Sequence, residues 1–495
     1  MTANRAVRWA DPTIMGAALA GPGGPTWTGA ATRAILSAMT TPAPTPLEPR
    51  ALAAGLTAAG VAGVTISWAD NNGIPRSRTV PVGALPRVAE VGVGITTLFA
   101  VFDSADAITF AHADLATPSG DVRLVPVLDK LVPLAGQPAL AWAPGRQVAA
   151  DGDPWPYDQR GALERQVDAL AADGLTALVG YEMEFGVYLD DGADDEPVPA
   201  HPGPAYSPQA LVGIDGFVAD VLRDCAANGL ELGQLHAEYG PAQMELSLAA
   251  TDPVTAADNQ LLARQTLRAA AQRHGLRLTF APLPATTVAG NGWHVHTSLW
   301  RGERNLLASH TGRPTDDGAA YVAGLLRDLP AVAAVTAPSQ GSLARLRPGF
   351  FAGAYGFWGV ENREAPLRYV PGTAFLGEGN ANVELKTSDA SANPYLALAA
   401  VLAAGAAGVA EGLTLPEPVQ SDPGTWTADE RAEHAIVALP ASQEEQEKAL
   451  TGSPRVAGAL GPALLGAFLA VRRSDAASAH DRDVDDVLAG LRWRY

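Results

Sequence analysis

From about residue 150 onward, stretches with apolar residues at helical spacing alternate with stretches in which they recur every second position. The pattern predicts helices over 157–173, 208–228, 258–274 and 318–335, with strands between them and loops over 190–204 and 416–426. Upstream the signal is different. A short helix over 52–60 leads into a strand over 61–68, and Asp70-Asn71-Asn72-Gly73 reads as a hairpin turn. A second strand runs through Arg76, Arg78 and Val80, with further β-like segments over 94–110 and 122–127. This β-rich unit closes near Asp151-Gly152-Asp153-Pro154. Residues 1–45 are dominated by Gly, Ala, Pro and Thr and read as a flexible extension, since they offer little apolar surface to bury. The most apolar run, 396–410, is mostly Ala and Gly; it reads as a buried helix rather than a membrane span.

Four of the strands carry polar chemistry on one parity. Alternation puts Glu182 and Glu184 on the face opposite Tyr181, Met183 and Phe185. Gln243, Glu245 and Ser247 lie opposite Met244, Leu246 and Leu248; His294, His296 and Ser298 share a face, as do Asn382, Glu384 and Lys386. A solvated edge explains any one of these strands. Four together point to one sheet whose polar face lines a cavity. Carboxylates crowded there would repel one another unless cations sat between them. Glu182, Glu184, Glu238, Glu245 and Glu384 with an imidazole form a hard, oxygen-rich set that suits Mg²⁺ or Mn²⁺ better than Zn²⁺. Two such ions close together suit phosphoryl transfer. A basic group follows: Arg345 and Arg347 before Pro348-Gly349, then Arg363 and Arg368, residue types that grip phosphate and carboxylate groups.

Composition narrows the partners. Lys and Arg number 34 against 53 Asp and Glu, a net charge of −19. Such a field repels nucleic acid and anionic membranes, so neither is expected as a partner, and small molecules are. The single cysteine, Cys225, excludes an intrachain disulfide and fits a reducing, cytoplasmic setting. No secretion signal is visible at the N-terminus.

The ordered series from about residue 50 to 495 resembles the glutamine synthetase superfamily. It runs Glu182-x-Glu184, Glu238, Gln243-Met244-Glu245, Gly290-Asn291-Gly292-Trp293-His294-Val295-His296, Arg345-Leu346-Arg347-Pro348-Gly349, Asn362-Arg363, Glu384 and Ser391-Ala392-Asn393-Pro394-Tyr395-Leu396. The resemblance implies an α+β fold: a small N-terminal β-grasp domain over 46–150, then a catalytic domain over 151–495 with a curved, mainly antiparallel sheet and surrounding helices. It implies a homo-oligomer of stacked rings, a dodecamer in the favoured form, with active sites between subunits. It also implies ATP and two or three Mg²⁺ or Mn²⁺ ions per site. Glu184, Glu238 and Glu245 would hold one ion, and Glu182, His294 and Glu384 another. His296 and Ser298 would lie near ATP, with Arg363 and Arg368 on its phosphates. Arg345 would contact the acid substrate, and Gly290 and Lys386 would belong to the acid pocket. Asp103 is a loose match to the aspartate that a neighbouring subunit offers to ammonium, with Asp106 in competition. The implied reaction phosphorylates the γ-carboxylate of glutamate, and an amine then displaces phosphate.

The chain departs from the family where ammonium binds. Glutamine synthetases carry an aromatic residue and then a flap glutamate after the Arg-Pro-Gly segment; here Phe350-Phe351 follow. A phenyl ring takes no proton, though its face can meet a cation. Lys386 stands where the family has arginine, Ala289 where it has asparagine and Leu283 where it has lysine, and no Asn-Leu-Tyr tract for adenylylation lies between Gly412 and Thr427. The missing flap carboxylate beside an intact metal set predicts a ligase in which an organic amine attacks the acyl phosphate, like the γ-glutamylamide ligases of this superfamily, while Ala289 and Lys386 leave the acid as glutamate or a close analogue. Phe350, Phe351, Tyr355 and Trp358 are the expected apolar wall. The alternatives are an ammonium-using glutamine synthetase, a catalytically silent scaffold and a different metal enzyme, such as a hydrolase, using the same carboxylate cavity.

Overall fold

The protein is described by a computed structural model over residues 48–495, apart from 193–195, 310–311, 374 and 376. The extension expected over 1–45 lies outside the described residues. The architecture is mixed α+β. The first sheet contains β1 (Gly63–Ala69), β2 (Pro75–Pro81), β3 (Val93–Thr96), β4 (Asp121–Pro126), β5 (Val132–Pro133) and β6 (Leu140–Val148). Its order is β2-β1-β6-β4-β3, with β5 on β6. Only the β1–β6 pair is parallel. Val64, Ile66, Ile95 and Leu124 bury a small core beneath the helices Pro49–Ala58 and Leu85–Val91.

The turn joining β1 to β2 forms as expected, but it is buried rather than exposed. Asp70 Oδ1 accepts hydrogen bonds from Asn72 N and Ile74 N. Gly73 adopts φ 68° and lies so close to the second unit that a Cβ would stand 2.4 Å from Ala392 O. Asn393 holds both sides: its Oδ1 caps the helix Pro394–Glu411, while its Nδ2 donates to Ala69 O and Asp70 O. The Ser-Ala-Asn-Pro motif therefore serves as the hinge plate between the two sheets.

The second sheet has nine strands. They are β7 (Thr176–Leu189), β8 (Leu232–Ala237), β9 (Gln243–Thr251), β10 (Leu276–Thr279), β11 (Trp293–Arg301), β12 (Arg304–Asn305), β14 (Trp358–Val360), β15 (Leu367–Val370) and β16 (Asn382–Leu385), with β13 (Tyr355–Gly356) pairing separately to β17 (Val437–Ala438). The order is β14-β15-β16-β11-β7-β9-β8, antiparallel throughout except β14–β15. Tyr181, Met183, Phe185, Met244, Leu246, Val295, Val383 and Leu385 turn one face into the main core. Helices Gln159–Ala172, Pro253–Arg273, Asp316–Thr336 and Pro394–Glu411 supply the rest of that core. The helix expected over 208–228 is broken at Gly213 into Gln209–Val212 and Asp215–Ala227; a glycine is a poor interior helix residue, and Asp215 starts the new first turn.

The helices Asp316–Thr336 and Pro394–Glu411 cross at small residues. A Cβ on Gly408 would stand 2.1 Å from Ala320 O, and one on Gly324 would stand 2.3 Å from Ala404 O. By length and composition each could cross a membrane, yet 78% and 67% of their apolar windows are buried inside the fold.

Candidate active site

The four strands read from their polar parity are neighbours, β16-β11-β7-β9, and their polar residues converge. Register aligns them in rows. Arg368 faces Glu384, which faces His296; His294 faces Glu182; Glu184 faces Glu245, which faces His236 on β8. The result is three overlapping groups of possible metal ligands: Glu182 with His294 and Glu384, Glu184 with Glu245 and His294, and His236 with Glu238 and Glu245. The first is the trio that the resemblance assigns to one ion. The second assigned trio is split, with Glu184 and Glu238 meeting through the shared Glu245.

The electrostatics are those of crowded carboxylates that would favour cations between them. Burial, and then the charges of Glu182, Glu184 and Glu238, push the Glu245 carboxyl up to about 9. Burial, and then Glu184, raise Glu238 as well. Burial also disfavours charge on Glu182, but hydrogen bonding to His294 and His296 outweighs it and holds the carboxyl far below the usual range. Glu384 is fully buried, which disfavours its charge; Lys386, His294 and His296 overcome this and bring it to about 2. Lys386 Nζ lies 3.4 Å from Glu384 Oε1 and Arg368 Nη1 lies 3.1 Å from Oε2, so this ligand stays ionised between two fixed cations. Burial works against a charged His296, but the nearby Glu182 and Glu384 carry its ring up to about 9. The donor set suits divalent ions with a preference for oxygen.

Glu184 is aimed by its surroundings. Its Oε2 accepts from Gly292 N at 2.7 Å and from Gln243 Nε2 at 3.2 Å. Gln243 Nε2 also donates to Gly290 O at 2.9 Å, tying the ligand to the Gly290 loop. Arg345 ends the helix Gln340–Arg345 and is buried, its stem against Gly290; a Cβ there would stand 2.8 Å from Arg345 Cγ. Its Nη2 donates to Ser388 O at 2.8 Å, while its buried Nε lacks an acceptor. Arg345 and Gly290 thus meet, as their shared assignment to the acid pocket requires. Arg368 Nε is likewise buried without an acceptor, and Nη2 pairs with Glu361. Arg363 is exposed. Ser298 is buried and accepts from Trp300 Nε1 at 2.8 Å. His296 Nδ1 lies 3.0 Å from Asn382 Oδ1.

Asp103, expected to serve a neighbouring subunit, and the aromatic wall are placed as follows. Asp103 is buried in its own loop: Oδ1 accepts from Ala105 N and Ala107 N, and Oδ2 from Ser474 Oγ. No contact joins it to the carboxylates of the same chain among the described residues. Asp106 pairs with Arg76 at 2.7 Å. The aromatic wall is divided. Trp358 belongs to the core and donates through Nε1 to Pro416 O, and Tyr355 is half-buried beneath Arg431. Phe350 and Phe351 are 54% and 65% exposed, with Arg347 stacked 4.3 Å over Phe350. His236 was not among the residues singled out in the sequence, because the strand Leu232–Ala237 lacks clean alternation. The spacing His236-x-Glu238, parallel to His294-x-His296, was the available signal.

The family model described as the glutamine synthetase catalytic domain matches residues 156–487. The chain is 42% identical over 448 residues to the gamma-glutamylpolyamine synthetase GlnA3 of Streptomyces coelicolor, covering 90% of this chain and 96% of that protein. A crystal structure of a novel glutamine synthase homolog superposes with TM-score 0.77 at 30% identity, covering 88% of this chain and 99% of that one. A GmaS/ADP complex superposes with TM-score 0.76 at 26% identity, covering 87% and 97%. With a cation-demanding carboxylate cluster and an arginine set beside it, the chain belongs to the glutamine synthetase family. It is an ATP-dependent carbon–nitrogen ligase that joins glutamate to an amine.

Proposed function

We propose that the amine is an organic polyamine and that the product is a γ-glutamylpolyamide. The carrying observation is the pairing of an intact carboxylate–histidine cluster with a flap that presents Phe350 and Phe351 to solvent where the family places a carboxylate. An apolar flap accommodates a carbon chain and offers no charge partner for ammonium. The net charge of −19 draws polycations toward the molecule. The 42% identity to a gamma-glutamylpolyamine synthetase points the same way.

Glu182, His294 and Glu384 would hold one divalent ion, and Glu184 and Glu238, each grouped with Glu245, would hold a second. When bound, Mg²⁺ or Mn²⁺ would neutralise charge on the transferring phosphoryl group. The residues of the chain do the remainder. Arg345 takes the acid's carboxylate through its free Nε and is held in line by Gly290. Arg368 and Arg363 grip the nucleotide phosphates. His296 and Ser298 line the nucleotide side, and Lys386 stands beside Glu384 toward the acid. Glutamate's γ-carboxylate attacks the γ-phosphorus of ATP and ADP leaves; the neutral amine then attacks the acyl carbon, phosphate leaves, and the surplus N–H proton passes to solvent to give the amide.

We divide the chain into a β-grasp unit over 46–150 and a catalytic unit over 151–495; the smaller apolar cluster, drawn mostly from Ala53 to Ala141, supports the first. A ring assembly, a dodecamer of stacked rings, would let the Asp103 loop of one subunit approach the carboxylates of the next. The buried apolar helices accord with a soluble, cytoplasmic enzyme.

Phosphate release from ATP with glutamate and Mg²⁺ tests this, with polyamines, short alkylamines, ethanolamine and ammonium supplied in turn. Turnover highest with polyamines supports the reading. Turnover with ammonium alone refutes it.

A further inference from the structure

We propose that His236 is a metal ligand, its Nε2 lying beside Glu245 and its ring grouped with Glu238 in a nitrogen-containing cation site at the β8–β9 edge of the cluster. The inference rests on the reading that the carboxylates hold divalent ions, and it extends the set of groups that hold them.

Strand pairing places His236 directly across from Glu245. His236 Nε2 lies 3.2 Å from Glu245 Oε1, and Nδ1 lies 3.9 Å from Glu238 Oε1. Nδ1 is also 3.1 Å from Ala237 O. A carbonyl can only accept, so in the neutral ring Nδ1 carries the proton and Nε2 turns its lone pair toward Glu245. That is the tautomer that a metal-binding imidazole needs, fixed by a backbone oxygen as metal-bound histidines commonly are. Ligand atoms at about 2.1–2.2 Å from an octahedral ion stand about 3 Å apart when adjacent, close to the spacing of His236 Nε2 and Glu245 Oε1. Glu238 is oriented too: Tyr239 N donates to Oε2 at 2.8 Å and leaves Oε1 on the His236 side. One nitrogen among oxygens raises the preference for Mn²⁺ over Mg²⁺. An imidazolium–carboxylate ion pair would account for the same contact, so the test must read the metal itself.

The experiment uses the full chain loaded with Mn²⁺ without nucleotide, produced with ¹⁵N-histidine, and pulsed electron paramagnetic resonance to detect histidine nitrogen coupled to the ion. In His294→Gln a histidine coupling is expected to persist, and it should vanish when His236→Gln is added. Calorimetry on His236→Gln alone, which does not depend on the folding of the other variant, should show Mn²⁺ binding weakened about 10–100-fold at one class of site, with Mg²⁺ weakened less. Bound Mn²⁺ with no histidine coupling in His294→Gln, or unchanged Mn²⁺ affinity in His236→Gln, would overturn the proposal while leaving the metal reading intact. Failure of the unsubstituted protein to bind Mn²⁺ at all would overturn both.

Discussion

At Phe351 the backbone takes φ 51°, a left-handed conformation rare for a bulky residue, on a loop that also has Gly349 at 80° and Gly353 at 72°. Positive φ at an exposed aromatic is an outlier that points to a role for this position. Phe351→Glu should therefore raise turnover with ammonium and lower it with long amines; unchanged amine preference in steady-state kinetics would count against the flap's role. A second prediction concerns Glu245. Because burial and like charges lift its carboxyl to about 9, it is protonated at neutral pH in the metal-free protein, and a metal must displace that proton. Metal affinity should thus rise with pH up to about 9, and binding should release a proton. Calorimetry in buffers of different ionisation enthalpy reads this directly, and a buffer-independent enthalpy would contradict it.

At the level of elements, the parity of four strands was legible because a half-buried strand must alternate, and the sheet order then made neighbours of them. What could not be read was long-range docking. Asp70-Asn71-Asn72-Gly73 was recognisable as a turn, but nothing local told that it would be buried against Ala392 and Asn393. His236 was hidden in a short strand with a register shift near Gly233. Trp358 sits near the flap in sequence, yet it fills the core. Helix packing yields its own test. Arg160 forks onto Asp258 at 3.0 and 3.2 Å, and Tyr395 OH donates to Asp258 at 2.7 Å, joining three helices through one buried carboxylate. Asp258→Ala would leave the buried guanidinium with Glu164 alone and Tyr395 OH without its acceptor, and should cost about 1–3 kcal/mol, seen as a lowered denaturation midpoint. Gly408→Val would drive a side chain into Ala320 O and should also destabilise, by about 1–3 kcal/mol or more.

Taken as a whole molecule, the chain combines a net charge of −19 with a site that concentrates carboxylates and keeps only a few arginines beside them. That field favours approach of a polycation and is screened by salt. The KM for a polyamine should accordingly rise more steeply with ionic strength than the KM for a monoamine; parallel slopes would show that long-range charge plays no part in amine choice. The family could be read from ordered motifs, whereas the proposed choice of amine rests on what replaces a single flap carboxylate. The most direct test is therefore competition in one vessel. The enzyme receives ATP, Mg²⁺, glutamate and equimolar ammonium and spermidine, and the products are resolved by mass. The account predicts γ-glutamylspermidine with little glutamine; glutamine as the main product would contradict it.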